Sequence, residues 1–277
     1  LVLLFYFLPV DINHRNYNGM IRLTILFLWI TPILAGGQSR VSILEIHARD
    51  TFRLDNSGHL TADTLVLNDS ACIQLNPKKS NNTIHVKVLI VGRQSRIDGR
   101  GKDGPDGEDG AGGSVSFGPC KSGGNGRAGR DGSDGKPGLN LFLYLEKIIV
   151  NGNLIIDLAG GNGGDGGDGG EGGGGSPGTV HCTGGDGGLG GGAGSGGSGG
   201  QGGTVTFAGK DQESMRLLLG SQIVVNTMGG RFGYGGIPGA GGSPGLGPKK
   251  SGIIGKNGKN GLRGRPGNDG VIQFEQQ

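Results

Sequence analysis

Glycine recurs at every third residue in six separate blocks, and this period limits what the chain can fold into more than any other feature. The first block holds Gly101, Gly104, Gly107, Gly110 and Gly113, and the second Gly126, Gly129, Gly132, Gly135 and Gly138. The third runs from Gly160 to Gly178, the fourth from Gly185 to Gly203, the fifth from Gly230 to Gly245 and the sixth from Gly255 to Gly270. One position in three without a side chain marks a polyproline-II-type helix, with three residues per turn and a rise of about 3.1 Å per residue. That helix has no internal hydrogen bonds, so its backbone groups must pair with neighbours or with water.

Composition separates two ways of supplying those neighbours. Of 277 residues, 67 are Gly and 11 are Pro. A collagen triple helix wants strict Gly-X-Y and roughly 15–20% Pro, which 11 prolines do not provide. In a polyglycine-II bundle each helix has several neighbours, and every face in contact wants Gly. The third and fourth blocks carry two Gly per triplet, as in Gly160-Gly161-Asn162-Gly163-Gly164-Asp165. The first, second and sixth carry one, as in Gly104-Pro105-Asp106. The blocks come in pairs, broken at Ser114–Ser122, Thr179–Gly184 and Pro248–Ser251. Three hairpins stacked in chain order put the Gly-richest pair in the middle, a pattern for which collagen gives no reason.

Apolar segments lie between the pairs and align with one another. Glu45-Ile46 to Leu54, Leu65-Val66 to Leu75, Val88-Leu89 to Ile97, Ile148-Ile149 to Leu158 and Leu217-Leu218 to Val225 each read as two short strands around a kink. The kinks include Asn68-Asp69, Gly92-Arg93, Asn151-Gly152 and Gly220-Ser221, all turn-formers. Each Gly pair ends in a strand with Phe four residues after the last Gly: Phe142, Phe207 and Phe274. Stacked rungs repeat at about 4.8 Å, close to the spacing at which Gly-faced helices can hydrogen-bond. The expected fold is therefore all-β with polyproline-II: a short β-solenoid with three stacked polyglycine-II hairpins of about 50 Å and no significant α-helix. Val205, Ile272, Phe142, Phe207 and Phe274 are expected to form ladders along its column.

The triplets at 99–138, 160–203 and 229–270 resemble those of the polyglycine-II bundle proteins, a class that includes springtail antifreeze proteins and certain phage tail-fibre adhesins. The resemblance is one of architecture. It implies binding either by a flat helix face, as with ice, or by the loops at helix tips.

Domain boundaries follow composition. Residues 1–19 read as upstream or fragmentary sequence, and 20–37 as an export signal. In that signal Arg22 gives the positive start, Leu23 to Leu34 the apolar stretch, and Ala35-Gly36-Gly37 the small residues for cleavage. Leu1–Val10 and Leu23–Leu34 together as a membrane anchor is the alternative. Residues 38–98 are expected to form the N-terminal rungs, and 99–277 the hairpin bundle with interleaved strands. Sequons at Asn68 and Asn81 fit a eukaryotic secretory route.

Cys120 and Cys182 occupy matching breaks between outgoing and returning Gly runs. Neighbouring tips would bring them together, so a disulfide is the expected pairing, leaving Cys72 as a buried free thiol in an apolar strand. A metal site at His181 and these cysteines lacks a fourth ligand. Asp165, Asp168 and Glu171 recur every third residue and read as a solvated edge rather than a calcium site, as do Asp103, Asp106 and Asp109. Lys256, Lys259, Arg263 and Arg265 make the last run basic. Tyr234, Ile237, Ala240, Ser243 and Leu246 fall at triplet spacing with Phe232 and Pro238 on an adjoining face, a candidate contact surface. Lys121, His181, Lys249 and Lys250 mark the hairpin tips.

No catalytic set, cofactor motif or metal site emerges, and GxGxxG matches inside Gly tracts carry no meaning outside a strand-to-helix turn. A formal net charge of +3 is too small to suggest nucleic acid. The expectation is a secreted, non-enzymatic structural or adhesive protein, meeting a membrane only during export. Its expected partners are itself, head-to-tail through the terminal strand Val271–Phe274, or an extracellular surface ligand. Ice binding and receptor or glycan binding through the tips are the alternatives.

Overall fold

Val, Ile and Leu alternating with polar residues set the strands, because a period of two sends successive side chains to opposite faces. The computed structural model describes residues 41–275. The export-signal reading and residues 1–19 lie outside the described residues. In chain order the strands are β1 (Val41–Ile46), β2 (Thr51–Arg53), β3 (His59–Leu67), β4 (Cys72–Gln74), β5 (Asn81–Val91) and β6 (Ser95–Asp98). They continue as β7 (Asn140–Val150), β8 (Leu154–Asp157), β9 (Val205–Gly209), β10 (Ile223–Asn226) and β11 (Ile272–Glu275). Among the described residues one helix, α1 (Gln212–Leu218), stands between β9 and β10.

The chain alternates between two sheets. Odd-numbered strands pair in the order β1-β3-β5-β7-β9-β11 and even-numbered ones in the order β10-β8-β6-β4-β2. Every pairing is parallel. Side chains facing inward from both sheets form a single apolar core, with Leu65, Leu89, Ile73, Ile97, Leu143 and Ile156 fully buried. The kinks between sheets stack: Asn68 N donates to Ile46 O, Gly92 N to Leu67 O and Asn151 N to Val91 O. Arg49, Ser70 and Gln94 take the left-handed conformation at equivalent places in three successive kinks. At the second and third of these Asp69 accepts from the Arg93 guanidinium, which holds the Asp69 carboxyl below its ordinary range.

Two details depart from the sequence reading. Phe207 lies level with Phe274, their rings 5.3 Å apart, but Phe142 lies level with Thr206. Leu143 takes the inward place beside Phe207. Leu141, three residues after Gly138, pairs with Val205, two residues after Gly203, and a one-residue slip turns every side chain to the other face. The second departure is α1, which replaces the first strand of the fifth rung. Ile148-Ile149-Val150 holds the equivalent place in the fourth rung as a strand, whereas Gln212 to Leu219 contains no β-branched residue and is rich in good helix formers. Met215 anchors the helix in the core.

The six glycine blocks leave the column between β6 and β7, between β8 and β9 and between β10 and β11. We number them runs 1 to 6. Each pair goes out and back antiparallel, as when Lys136 N donates to Lys102 O and Arg127 N to Ala111 O.

Candidate functional site

Within each hairpin pair, and from pair to pair, the runs bond backbone to backbone. Run 1 donates to run 3 (Gly104 N to Asn162 O) and run 3 to run 5 (Gly163 N to Arg231 O). Runs 2, 4 and 6 form the parallel series, with Gly126 N to Leu189 O and Gly196 N to Leu262 O. Cross-bonds tie the two layers, such as Gly164 N to Ser133 O and Gly230 N to Gly200 O. Runs 3 and 4 each bond to four other runs, while runs 1 and 6 bond to two. That difference accounts for two Gly per triplet in the middle pair. A Cβ on Gly164 would strike the Pro105 carbonyl, and one on Gly163 the Gly197 carbonyl.

The third residue of many triplets in runs 1 to 4 has a task that its exposure hides. Asp103, Asp106 and Asp109 accept from the backbone N–H groups of Asn162, Asp165 and Asp168, each at 2.7 Å. Those three residues in turn accept from Arg231 N, Tyr234 N and Ile237 N. On the other layer Asp131 and Asp134 accept from Ser195 N and Ser198 N, and Asp186 from Ile253 N. In a triplet such as Gly163-Gly164-Asp165 both glycine N–H groups meet carbonyls, and the third meets a side chain of the hairpin above. The acidic rows are therefore structural acceptors as well as a solvated edge. Run 5 is the last of its layer, and no triplet below it asks for an acceptor, which leaves its third positions open to Tyr234, Ile237, Ala240, Ser243 and Leu246.

The tips lie at the end of this lattice farthest from the sheets. Cys120 and Cys182 are disulfide-bonded with their Cα atoms 6.1 Å apart, joining the first tip to the second. Backbone bonds from Cys120 N to Pro177 O and from Ser176 N to Lys121 O run alongside the bridge. The third tip joins the second through Gly178 N to Leu246 O and Gly184 N to Lys250 O. Lys121, His181, Lys249 and Lys250 are all exposed. Beside them stand apolar side chains that the sequence reading passed over: Phe117 at 88% exposure, Val180 at 71%, and Val115, Ile253 and Ile254, also exposed. Their signal was present, since Val-Ser-Phe inside a polar break is unusual in a loop that only needs to turn.

The other candidate residues fall as follows. Tyr234, Ile237, Ala240 and Leu246 line the open side of run 5, while Phe232 is half-buried, T-shaped against the Tyr234 ring and beneath the Arg263 guanidinium. Asn68 is half-buried at a kink and donates to Glu45, and Asn81 is exposed at the start of β5. Cys72 is free and half-buried rather than buried, because alternation along β4 turns Ile73 inward instead, and burial pushes the Cys72 thiol up. At the terminal strand, Gln212 of α1 donates to Glu275 O and Arg216 stacks 4.0 Å over Phe274. A cleft of about 570 Å³ opens in the corner where run 1 leaves the column, with Lys78, Arg100, Lys102 and Lys136 around Leu75 and Leu139. Among the described residues no helix is long and apolar enough to cross a membrane.

No protein-family model and no curated protein matches the chain. Among solved structures, a springtail antifreeze protein from Granisotoma rainieri, described as a nine polyproline type II helical bundle, is 26% identical. The match covers 65% of this chain and 97% of that one, with a TM-score of 0.11, which does not establish a shared fold.

Proposed function

We propose that the chain is a secreted, non-enzymatic scaffold: a β-solenoid that carries a rigid bundle of three polyglycine-II hairpins and presents their tips to an extracellular surface. The observation that carries this reading is the Cys120–Cys182 bridge at the far end of the lattice. A lattice bonded along its whole length gains little fold definition from a crosslink at its tip. A contact surface that must hold one shape gains much, because preorganisation lowers the cost of binding. A disulfide also suits an oxidising, extracellular setting. The flat layers suit ice less well, since their third positions carry rows of Asp and isolated bulky side chains rather than a regular array of small residues.

The test is adhesion of the purified protein to a panel of immobilised bilayers and of acidic and neutral polysaccharides. Replacing the tips with Phe117→Ser, Val180→Ser, Lys249→Gln and Lys250→Gln should remove adhesion to whichever surface is bound. Adhesion that survives these changes would sink the tip reading.

A second reading, head-to-tail self-association, rests on β11, whose outer edge has no strand beside it among the described residues and whose Ile272 is 40% exposed. Bare strand edges template pairing with another chain. Removal of 271–277 should abolish concentration-dependent assembly in sedimentation, and unchanged assembly would end this reading. The stacking of Arg216 on Phe274 weighs against it, because α1 already occupies part of that end.

A further inference from the structure

We propose that the tips dock end-on against an anionic lipid bilayer, with Phe117, Val115 and Val180 entering the headgroup boundary and Lys121, Lys249 and Lys250 lying against lipid phosphates. The proposal rests on the reading of the tips as the contact end and names the surface they meet.

Three observations support it. The first is the amount of apolar surface left in water. Val115, Phe117, Val180, Leu246, Ile253 and Ile254 are all exposed within one turn of the three tips. Contiguous exposed apolar patches on soluble proteins mark interaction or membrane sites. These side chains stand on a stapled, mutually bonded end, so the patch cannot fold back on itself to hide.

The second observation is charge. Residues 110–130, 172–185 and 214–268 contain no Asp or Glu, so all three tips lie in acid-free stretches that carry Lys121, Lys249 and Lys250. Asp186 stands just past the second tip, where its carboxylate accepts from Ile253 N, and the rows of carboxylates gather nearer the column, at Asp103, Asp106 and Asp109 on one run and Asp165 and Asp168 on the next. An anionic surface would repel the layer that bears these rows and attract the tips, which sets an end-on approach. Lysines close to anionic lipid add favourable energy that falls off within a Debye length.

The third is the pairing of both properties at one level. An acidic polysaccharide would engage the lysines and leave Phe117 in water. The bilayer interface is wet and anionic on one side and apolar on the other, and it takes both kinds of side chain together. This departs from the expectation that the protein meets a membrane only during export.

The test is co-sedimentation of the purified, non-reduced protein with vesicles of phosphatidylcholine alone and with phosphatidylglycerol admixed, at low and high salt. Binding is expected only to the mixed vesicles and is expected to weaken with salt. Lys249→Gln with Lys250→Gln should lower affinity about ten- to thirtyfold, and Phe117→Ser with Val180→Ser about tenfold or more. Both pairs change exposed residues only, and retention of the disulfide and of the strand circular-dichroism signal verifies that they fold. Lys102→Gln with Lys136→Gln removes the same charge from the corner cleft near the column and should leave binding unchanged. Equal binding to neutral vesicles, or equal loss in the cleft variant, overturns the proposal. Tip-dependent binding to dextran sulfate without vesicle binding overturns the lipid assignment while the tip reading stands. Absence of tip-dependent binding to any surface removes both.

Discussion

Between the two sheets of the column, Leu65, Leu89 and Ile148 fill the interior with side chains. Between the runs of the bundle, the space is filled by backbone from both sides. Gly167 sits with its missing Cβ directed at the Glu108 carbonyl, and Gly188 with its own directed at the Gly124 carbonyl. Both regions grow by adding parallel elements, yet the column is held mainly by removal of apolar area from water, and the bundle by pairing of N–H and C=O groups. A core of side chains can repack around a lost methyl group. A core of backbone has no rotamers to adjust, so it tolerates neither added bulk nor a displaced run. Its weak points are therefore found by asking where a Cβ would go, not by asking how apolar a residue is.

That contrast can be broken most forcefully at Gly167. Gly167→Val should disrupt the bundle outright, seen as loss of hydrogen-exchange protection in runs 1, 3 and 4, with the column strands still protected. Loss confined to the substituted triplet would show that the lattice yields locally after all. In the column, Leu89→Ala should cost about 2–5 kcal/mol by denaturant unfolding and leave the tips' disulfide geometry unchanged. Asp165→Ala removes the acceptor for Tyr234 N and should cost on the order of 1 kcal/mol, while Asp165→Asn, which keeps an acceptor, should recover most of it. An equal loss in both variants would mean that the carboxylate charge matters rather than the acceptor. The smallest effect sharpens the contrast best. Gly192 occupies a third position where a Cβ meets nothing nearer than Lys259 O at 3.8 Å. Gly192→Ala should be neutral or stabilise by about 0.4–1 kcal/mol, whereas Gly191→Ala, one residue earlier, strikes the Arg127 carbonyl.

Much of this layout was legible in the sequence, and the misses have physical causes. Triplet period, paired blocks and matched cysteines all express constraints on the backbone, and a backbone constraint leaves the same mark wherever it occurs. The count from Gly138 to Phe142 misled because side-chain direction depends on the parity of the return, and Leu139 with Asn140 adds one residue that spacing from the last Gly does not reveal. Leu217-Leu218 looked like a strand because apolarity was read without its neighbours, and only the absence of β-branching distinguishes it. The acceptor role of Asp106 and Asp165 was hidden because their partners lie 59 and 69 residues away. At the tips, Lys249 and Lys250 drew the eye from Phe117 and Val180, which are 88% and 71% exposed.

The same separations govern how the molecule comes into being. A bond between Asp103 and Asn162 closes 59 residues, one between Asp131 and Ser195 closes 64, and one between Asp165 and Tyr234 closes 69. In the first rungs of the column, before any glycine run intervenes, Leu65 finds Leu89 after only 24. Non-local pairings are slow to form because loop closure precedes any reward. A chain emerging from the ribosome therefore winds its first rungs early, while run 1 waits, paired with run 2 alone, until run 3 has been made. Each later hairpin arrives on a template already in place, so the rungs act as a clock for assembly, and the last layer to lock is also the one whose outer side bears Tyr234 and Ile237.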